Sequence, residues 1–184
     1  MSLEIENILY VGKSKLQEIL VADTKTWGRA LFLDGVIQLT EKDESSYQEM
    51  MTHVPIFAHP NPKSVLVIGA GDGGVVREVL KHKGVERVVH CEIDKLVMDV
   101  CKKYLPSLFC NRDDPRLETH VGCGMEFMKA HQNEFDIIIT DSSDPIGPAS
   151  VLFELPYFQL LAKGIEQHFL KLGIQINQLF SVEI

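Results

Sequence analysis

What this 184-residue chain lacks narrows its function first. No apolar run approaches the ~20 residues that cross a bilayer, so no membrane partner is expected. No cluster of Lys and Arg is long enough to track a phosphate backbone. Acidic residues outnumber basic ones, 26 to 18, for a formal net charge of −8, so a nucleic-acid partner is not expected either. The start, Met1-Ser2-Leu3-Glu4, has neither a basic stretch nor an apolar core, which predicts no signal peptide and a cytoplasmic location. Cysteine is scarce. Cys91, Cys101, Cys110 and Cys123 form no C-x-x-C pair and stand beside no histidine pair of ligand spacing, so no metal site is expected. They read as reduced thiols, mostly buried. No internal repeat and no low-complexity tract occurs.

Two patterns fill the rest of the chain. Residues 7–39 read as strands, with Leu16–Ala22 and Arg29–Leu33 rich in apolar residues, and Asp34-Gly35 before Val36–Leu39 is a hairpin signal. A small antiparallel sheet is therefore expected over residues 1–42. Asp43 to Ala58 reads as a helix with Asp43 as N-cap and Tyr47, Met50, Met51 and Val54 at helical spacing. Pro55 sits in its last turn. On this pattern Tyr47 is core and Gln48 surface, while Gln17 and Gln38 are outward-facing strand positions. His53 and His59 read as structural histidines.

From residue 64 strands alternate with helices. Ser64–Ile68, Arg87–Cys91, Leu117–Val121 and Phe135–Thr140 are the strands; Val75–His82, Lys95–Tyr104 and Glu126–Gln132 are the helices. That alternation predicts an α/β domain over residues 43–184, with a parallel sheet covered by helices.

Four turns at strand ends carry chemistry, because open parallel sheets bind ligands at the carboxyl ends of their strands. The first strand runs into Gly69-Ala70-Gly71-Asp72-Gly73-Gly74. Gly69, Gly71 and Gly73 permit a sharp turn and a close ligand approach; without a ligand the same glycines are an ordinary strand-to-helix turn. Asp72 decides the sign of the ligand. A carboxylate in a loop whose relatives present N–H groups to anions would repel an anion and attract an ammonium. At the end of the second strand, Glu92 stands about twenty residues after the glycines, the spacing for ribose hydroxyls; the competing Asp94 reads as a helix N-cap. Cys123-Gly124 ends the third strand and is either a ligand-facing turn or a simple turn. Asp141 and Asp144 follow the fourth strand, in a loop stiffened by Pro145 and Pro148. They are either two acids that hold a polyamine, one of them accepting a proton, or solvated turn residues.

Four segments together resemble the spermidine synthase family: Leu33-Asp-Gly-Val-Ile-Gln-Leu-Thr40, Gly69 to Val79, Cys91-Glu-Ile-Asp94 and Asp141-Ser-Ser-Asp-Pro-Ile-Gly-Pro148. The likeness runs over roughly residues 3 to 160. It implies a Rossmann-like class I methyltransferase fold with a small N-terminal antiparallel β-domain, and a homodimer. It implies transfer of an aminopropyl group from decarboxylated S-adenosylmethionine, a co-substrate, to the diamine putrescine, with no tightly bound cofactor. Asp141 would be the general base, with Tyr47 beside it. Asp72 and Asp144 would hold amino groups. Gln17, Tyr47 and Gln48 would contact substrates and Glu92 the ribose. Cys123-Gly124 would meet the adenine, and Pro148 would form part of the wall. Asp72 would also repel the carboxylate of intact S-adenosylmethionine.

The chain departs from the family at three places. Cys123 stands where the family carries an Asp that accepts from the adenine amino group, and cysteine is a weak acceptor. A short Trp-containing stretch before the position of Ser2 is missing. Past about Phe158 the likeness fades, whereas the family continues beyond the position of residue 184 with further strands and a substrate-contacting tyrosine. Truncation of that kind predicts weak or no turnover. Other readings of the same residues are a non-catalytic regulatory partner, an S-adenosylmethionine-dependent amine methyltransferase, and a spermine-forming relative.

Overall fold

The computed structural model describes residues 3–143, 145 and 147–164, with side chains at all of these except Gly147 and Pro148. Four antiparallel strands come first: β1 (Ile5–Lys13), β2 (Glu18–Thr24), β3 (Gly28–Leu33) and β4 (Val36–Thr40), paired in sequence order. Helix α1 (Glu44–Ala58) follows. Then come β5 (Ser64–Gly69), α2 (Gly74–Leu80), β6 (Arg87–Glu92), α3 (Lys95–Tyr104), β7 (Leu117–Val121), α4 (Gly124–Ala130) and β8 (Ile137–Asp141). A 3-10 turn (Gly147–Phe153) leads into α5 (Leu155–Gly164).

The second sheet is parallel and ordered β7-β6-β5-β8. The order reverses at β5, so the ends of β5, β6 and β8 open on a crevice at the topological switch point. Strand β5 shows why the sheet is buried on both sides. Side chains alternate across a strand. Val65 and Val67 pack with Val75, Val79 and Met51 on one face, and Leu66 and Ile68 pack with Phe127, Met128 and Tyr157 on the other. Each such buried side chain contributes about 1.5–3 kcal/mol of transfer free energy. A third cluster packs the first sheet on α3: Ile19, Val21, Leu31 and Leu39 lie against Val97, Val100 and Cys101 of α3 and Leu105 just after it.

Several local expectations are corrected. Strand β1 starts at Ile5, two residues before the strand region read from the sequence. Asp43 precedes α1, but its carboxylate turns back to accept from Thr40 N and Oγ1 at 3.0 and 2.6 Å instead of capping the helix. Met50 and Val54 are exposed, while Gln48, Met51 and Thr52 are buried. The buried face of α1 is thus rotated from the one its apolar residues suggest. Helix α4 starts at Gly124, which makes Cys123 its N-cap residue. Of the cysteines, Cys91 and Cys101 are buried, Cys123 is half-buried and Cys110 exposed. Among the described residues no helix is long and apolar enough to cross a membrane, and no cluster of His, Cys, Asp and Glu could hold a metal ion.

Candidate active site

A cavity of about 490 Å³ opens at the ends of β5, β6 and β8, roofed by the β3–β4 hairpin and the start of α1. Its position follows from the fold, and its chemistry from the residues that end each strand.

Asp141 is the last residue of β8 and lines the cavity. Its Oδ1 accepts from the Tyr47 hydroxyl at 2.6 Å. Burial and the nearby charge of Asp72 push the Asp141 carboxyl up to about 7, against a smaller downward pull from the Tyr47 hydrogen bond. Tyr47 in turn is pushed up by burial and by Asp141, so it remains a neutral donor. Both residues line the cavity, one from a strand end and one from α1.

Asp72 lies in the loop between β5 and α2. Its Oδ1 accepts from Gly74 N at 2.8 Å and from Gln48 Nε2 at 2.9 Å. Burial raises its pKa, partly offset by the Gly74 N–H. Gln48 therefore belongs inside, the reverse of its surface reading, because it carries one of the hydrogen bonds that Asp72 needs. A Cβ added at Gly74 would come within 2.5 Å of the Gln48 side chain, which makes the close approach of α1 to α2 dependent on that glycine.

Glu92 ends β6, only 6% exposed, with Oε1 accepting from Asp94 N at 2.6 Å. Burial raises its pKa to about 7. Asp94 caps α3 as read, accepting from Leu96 N at 3.1 Å. Its other oxygen accepts from Ser14 Oγ at 2.7 Å and Gln17 Nε2 at 3.0 Å. Gln17 is thus not a strand residue. It precedes β2, lines the cavity and ties the N-terminal sheet to the end of β6.

Cys123 and Gly124 line the cavity at the N-terminus of α4. Gly69 and Gly71 line it as well. Gly73 does not; with a φ of 92° it faces away and packs against Phe109. Gln38 is exposed at the cavity's edge. Asp144 lies outside the described residues, and Pro148 is placed only through its backbone in the 3-10 turn.

The site gathers three enclosed carboxyl groups, from Asp72, Glu92 and Asp141, each with its charged form disfavoured by burial. Such a pocket gains most from a ligand that brings its own positive charge. Sequence reasoning missed Ser14, and the cavity wall made by Ala149, Val151 and Leu152. No local signal marks them, because they reach the site only through the fold.

The chain matches the spermidine synthase tetramerisation domain over residues 1–41 and the spermine/spermidine synthase domain over residues 44–177. It is 53% identical over 165 residues to the spermidine synthase of Schizosaccharomyces pombe, covering 90% of this chain and 55% of that protein. The identity to the Dictyostelium discoideum spermidine synthase is 56% over 164 residues, covering 89% and 58%. Among solved structures, a spermidine synthase in complex with the transition-state analogue AdoDATO superposes with a TM-score of 0.87 at 44% identity, covering 89% of this chain and 56% of that one. The Thermotoga maritima enzyme gives 0.85 at 43%, covering 90% and 56%. The chain spans about half the length of the curated relatives it matches.

Proposed function

The chain belongs to the spermidine synthase family, and from that premise we propose that it acts in aminopropyl transfer from decarboxylated S-adenosylmethionine to putrescine. The observation that carries the reading is Asp141: a strand-end carboxyl at the mouth of β8, held by Tyr47, beside Asp72, with a pKa raised to about 7. A general base is most effective when its pKa lies near the working pH.

In this reading the sulfonium co-substrate lies along the ends of β5 and β6. Glu92 accepts from its ribose hydroxyls, and Cys123-Gly124 contacts its base. Asp72 pairs with the ammonium of the aminopropyl arm, and its charge repels the carboxylate of intact S-adenosylmethionine. Gln17, Tyr47, Gln48, Asp144 and Pro148 complete the substrate pocket. The attacking amine of putrescine gives up its proton to Asp141. The amine nitrogen forms a bond to the methylene carbon beside sulfur as the carbon–sulfur bond breaks. Its electron pair returns to sulfur, and neutral methylthioadenosine leaves. The sulfonium is already a good leaving group, so the protein's work is alignment and proton acceptance.

We also propose a division at residues 42 and 43, with the N-terminal sheet mediating self-association. The match of residues 1–41 to a tetramerisation domain supports self-association, and sedimentation would distinguish the expected homodimer from a tetramer. A cytoplasmic location is part of the same proposal.

Calorimetry with decarboxylated and intact S-adenosylmethionine, followed by a turnover assay with putrescine, tests the reading. Preference for the decarboxylated form and equal yields of spermidine and methylthioadenosine are expected. Equal or tighter binding of the intact form, with a methylated amine as product, would replace it with methyl transfer.

A further inference from the structure

The peptide between Gly69 and Ala70 is flanked by two left-handed residues, with φ of 81° and 54°. Both of its polar ends are held. Ala70 N–H donates to the Asp141 carbonyl at 2.8 Å. The Gly69 carbonyl lies 2.7 Å from Nε2 of His90, a fully buried side chain in the middle of β6. His90 Nδ1 lies 3.0 Å from Arg112 Nη1. Guanidinium can only donate, so Nδ1 is the acceptor and the ring proton sits on Nε2, aimed at Gly69. Burial and the Arg112 charge keep the ring neutral, with a pKa of about 4.

Arg112 itself lies over the face of Phe109, 4.1 Å from the ring centroid. Together they back the glycine loop: a Cβ at Gly73 would meet Phe109 at 2.8 Å and Arg112 Nη2 at 3.1 Å. Among the described residues Nη2 is buried with no hydrogen-bond partner. Its charge is attracted by Asp72. A histidine that served only the core would need its polar atoms satisfied, and any carbonyl would do that. Here the acceptor is the carbonyl of a strained peptide whose N–H is bonded to the backbone of the proposed base.

We infer that His90 and Arg112 are positioning residues, which fix the Gly69–Ala70 peptide and through it the placement of Asp72 relative to Asp141. The inference rests on the aminopropyl-transfer reading for its consequence in turnover. Misplaced reacting groups lose rate more than affinity, since alignment is needed most in the transition state.

The test compares His90→Leu, which removes the donor, with His90→Gln, whose amide N–H reaches a similar position, and Arg112→Met, which keeps the stem against Phe109 and frees Nδ1. Amide exchange of Ala70, measured by NMR on the ligand-free chain, does not depend on the proposed reaction. His90→Leu is expected to speed it about tenfold, Arg112→Met less, and His90→Gln within threefold of the parent. Unchanged Ala70 protection in folded His90→Leu overturns the inference. In turnover with decarboxylated S-adenosylmethionine and putrescine, kcat of His90→Leu should fall at least tenfold with KM changed less than threefold, and His90→Gln should restore it. A merely structural histidine would lower Tm and leave kcat per folded molecule unchanged, and that result also overturns the inference. A parent chain that does not bind decarboxylated S-adenosylmethionine refutes the proposed reaction; with no turnover in the parent, Ala70 exchange alone decides whether the peptide is held. Where His90→Leu does not fold, Arg112→Met carries the same comparison.

Discussion

Burial raises the pKa of Asp141 most, and two neighbours adjust it in opposite directions, Asp72 upward and Tyr47 downward. The acid limb of kcat/KM should therefore lie near pH 7, as a property of the coupled Asp72–Asp141 pair. Asp72→Asn should move that limb to lower pH and Tyr47→Phe to higher pH; a pH–rate profile of each variant checks both signs. The same burial has a consequence for stability. A carboxyl whose folded pKa is raised to about 7, from about 4 when unfolded, contributes most below pH 4, and that contribution is lost as pH rises through 7. Asp141→Asn should accordingly raise Tm at pH 8, by about 2–4 °C for each kcal/mol relieved, with the difference vanishing near pH 4 in calorimetric scans. Cys123 offers a third residue-scale test. Cys123→Asp places a full acceptor at the N-terminus of α4, where a carboxylate is also favoured by the helix. It should tighten methylthioadenosine binding about tenfold, the worth of one charge-assisted hydrogen bond, as read by calorimetry.

At the scale of elements, the glycine loop and α1 form the site together. Gly69 has a φ of 81°, and a Cβ there would overlap the Asp141 carbonyl oxygen. Gly69→Ala should cost more than about 3 kcal/mol, from strain and overlap combined, in denaturant unfolding. Gly84→Ala, where nothing lies within 4 Å of the added Cβ, should be neutral or stabilise by up to about 1 kcal/mol in the same experiment. Helix α1 was legible as a helix from its length, but not in its orientation. Its outward face carries Met50, Val54 and Phe57, and its inward face Gln48 and Thr52. Gln48 turns inward to give Asp72, 24 residues away, a donor, and Thr52 Oγ1 donates to the Val75 carbonyl at 3.4 Å. Hydrophobic periodicity cannot register a hydrogen bond whose partner lies on another element.

At the scale of the molecule, the N-terminal sheet packs on α3, the helix that follows β6 of the second sheet. Arg29 Nη1 donates to the Tyr104 carbonyl at 2.7 Å, and Ser14 and Gln17 bond to Asp94, so polar links reinforce the same contact. Packing of the first sheet on α3 predicts joint unfolding. Leu31→Ala, at 2% exposure, should cost about 2–5 kcal/mol. The fluorescence of Trp27, the chain's one tryptophan, reports the first sheet, and far-UV circular dichroism reports the helices. Their transitions should coincide in parent and variant alike; separation of the two would mean that the sheets unfold independently.

The sequence by itself determined the order of strands and helices as far as β8, the hairpin at Asp34-Gly35, the glycine turn after β5 and the acids at the strand ends. All of these are local: periodicity, turn chemistry and spacing along one chain segment. Only the tertiary structure decided that Tyr47 faces Asp141, that Gln48 is buried to serve Asp72, that Gln17 lies before β2 and reaches Asp94, and that His90 holds the Gly69 carbonyl. Each of these joins residues 21 to 94 positions apart. The free energy that fixes them is the cost of leaving a buried polar group without a partner. That cost is assigned by packing, after the chain has folded, and no window of sequence contains both halves of the pair.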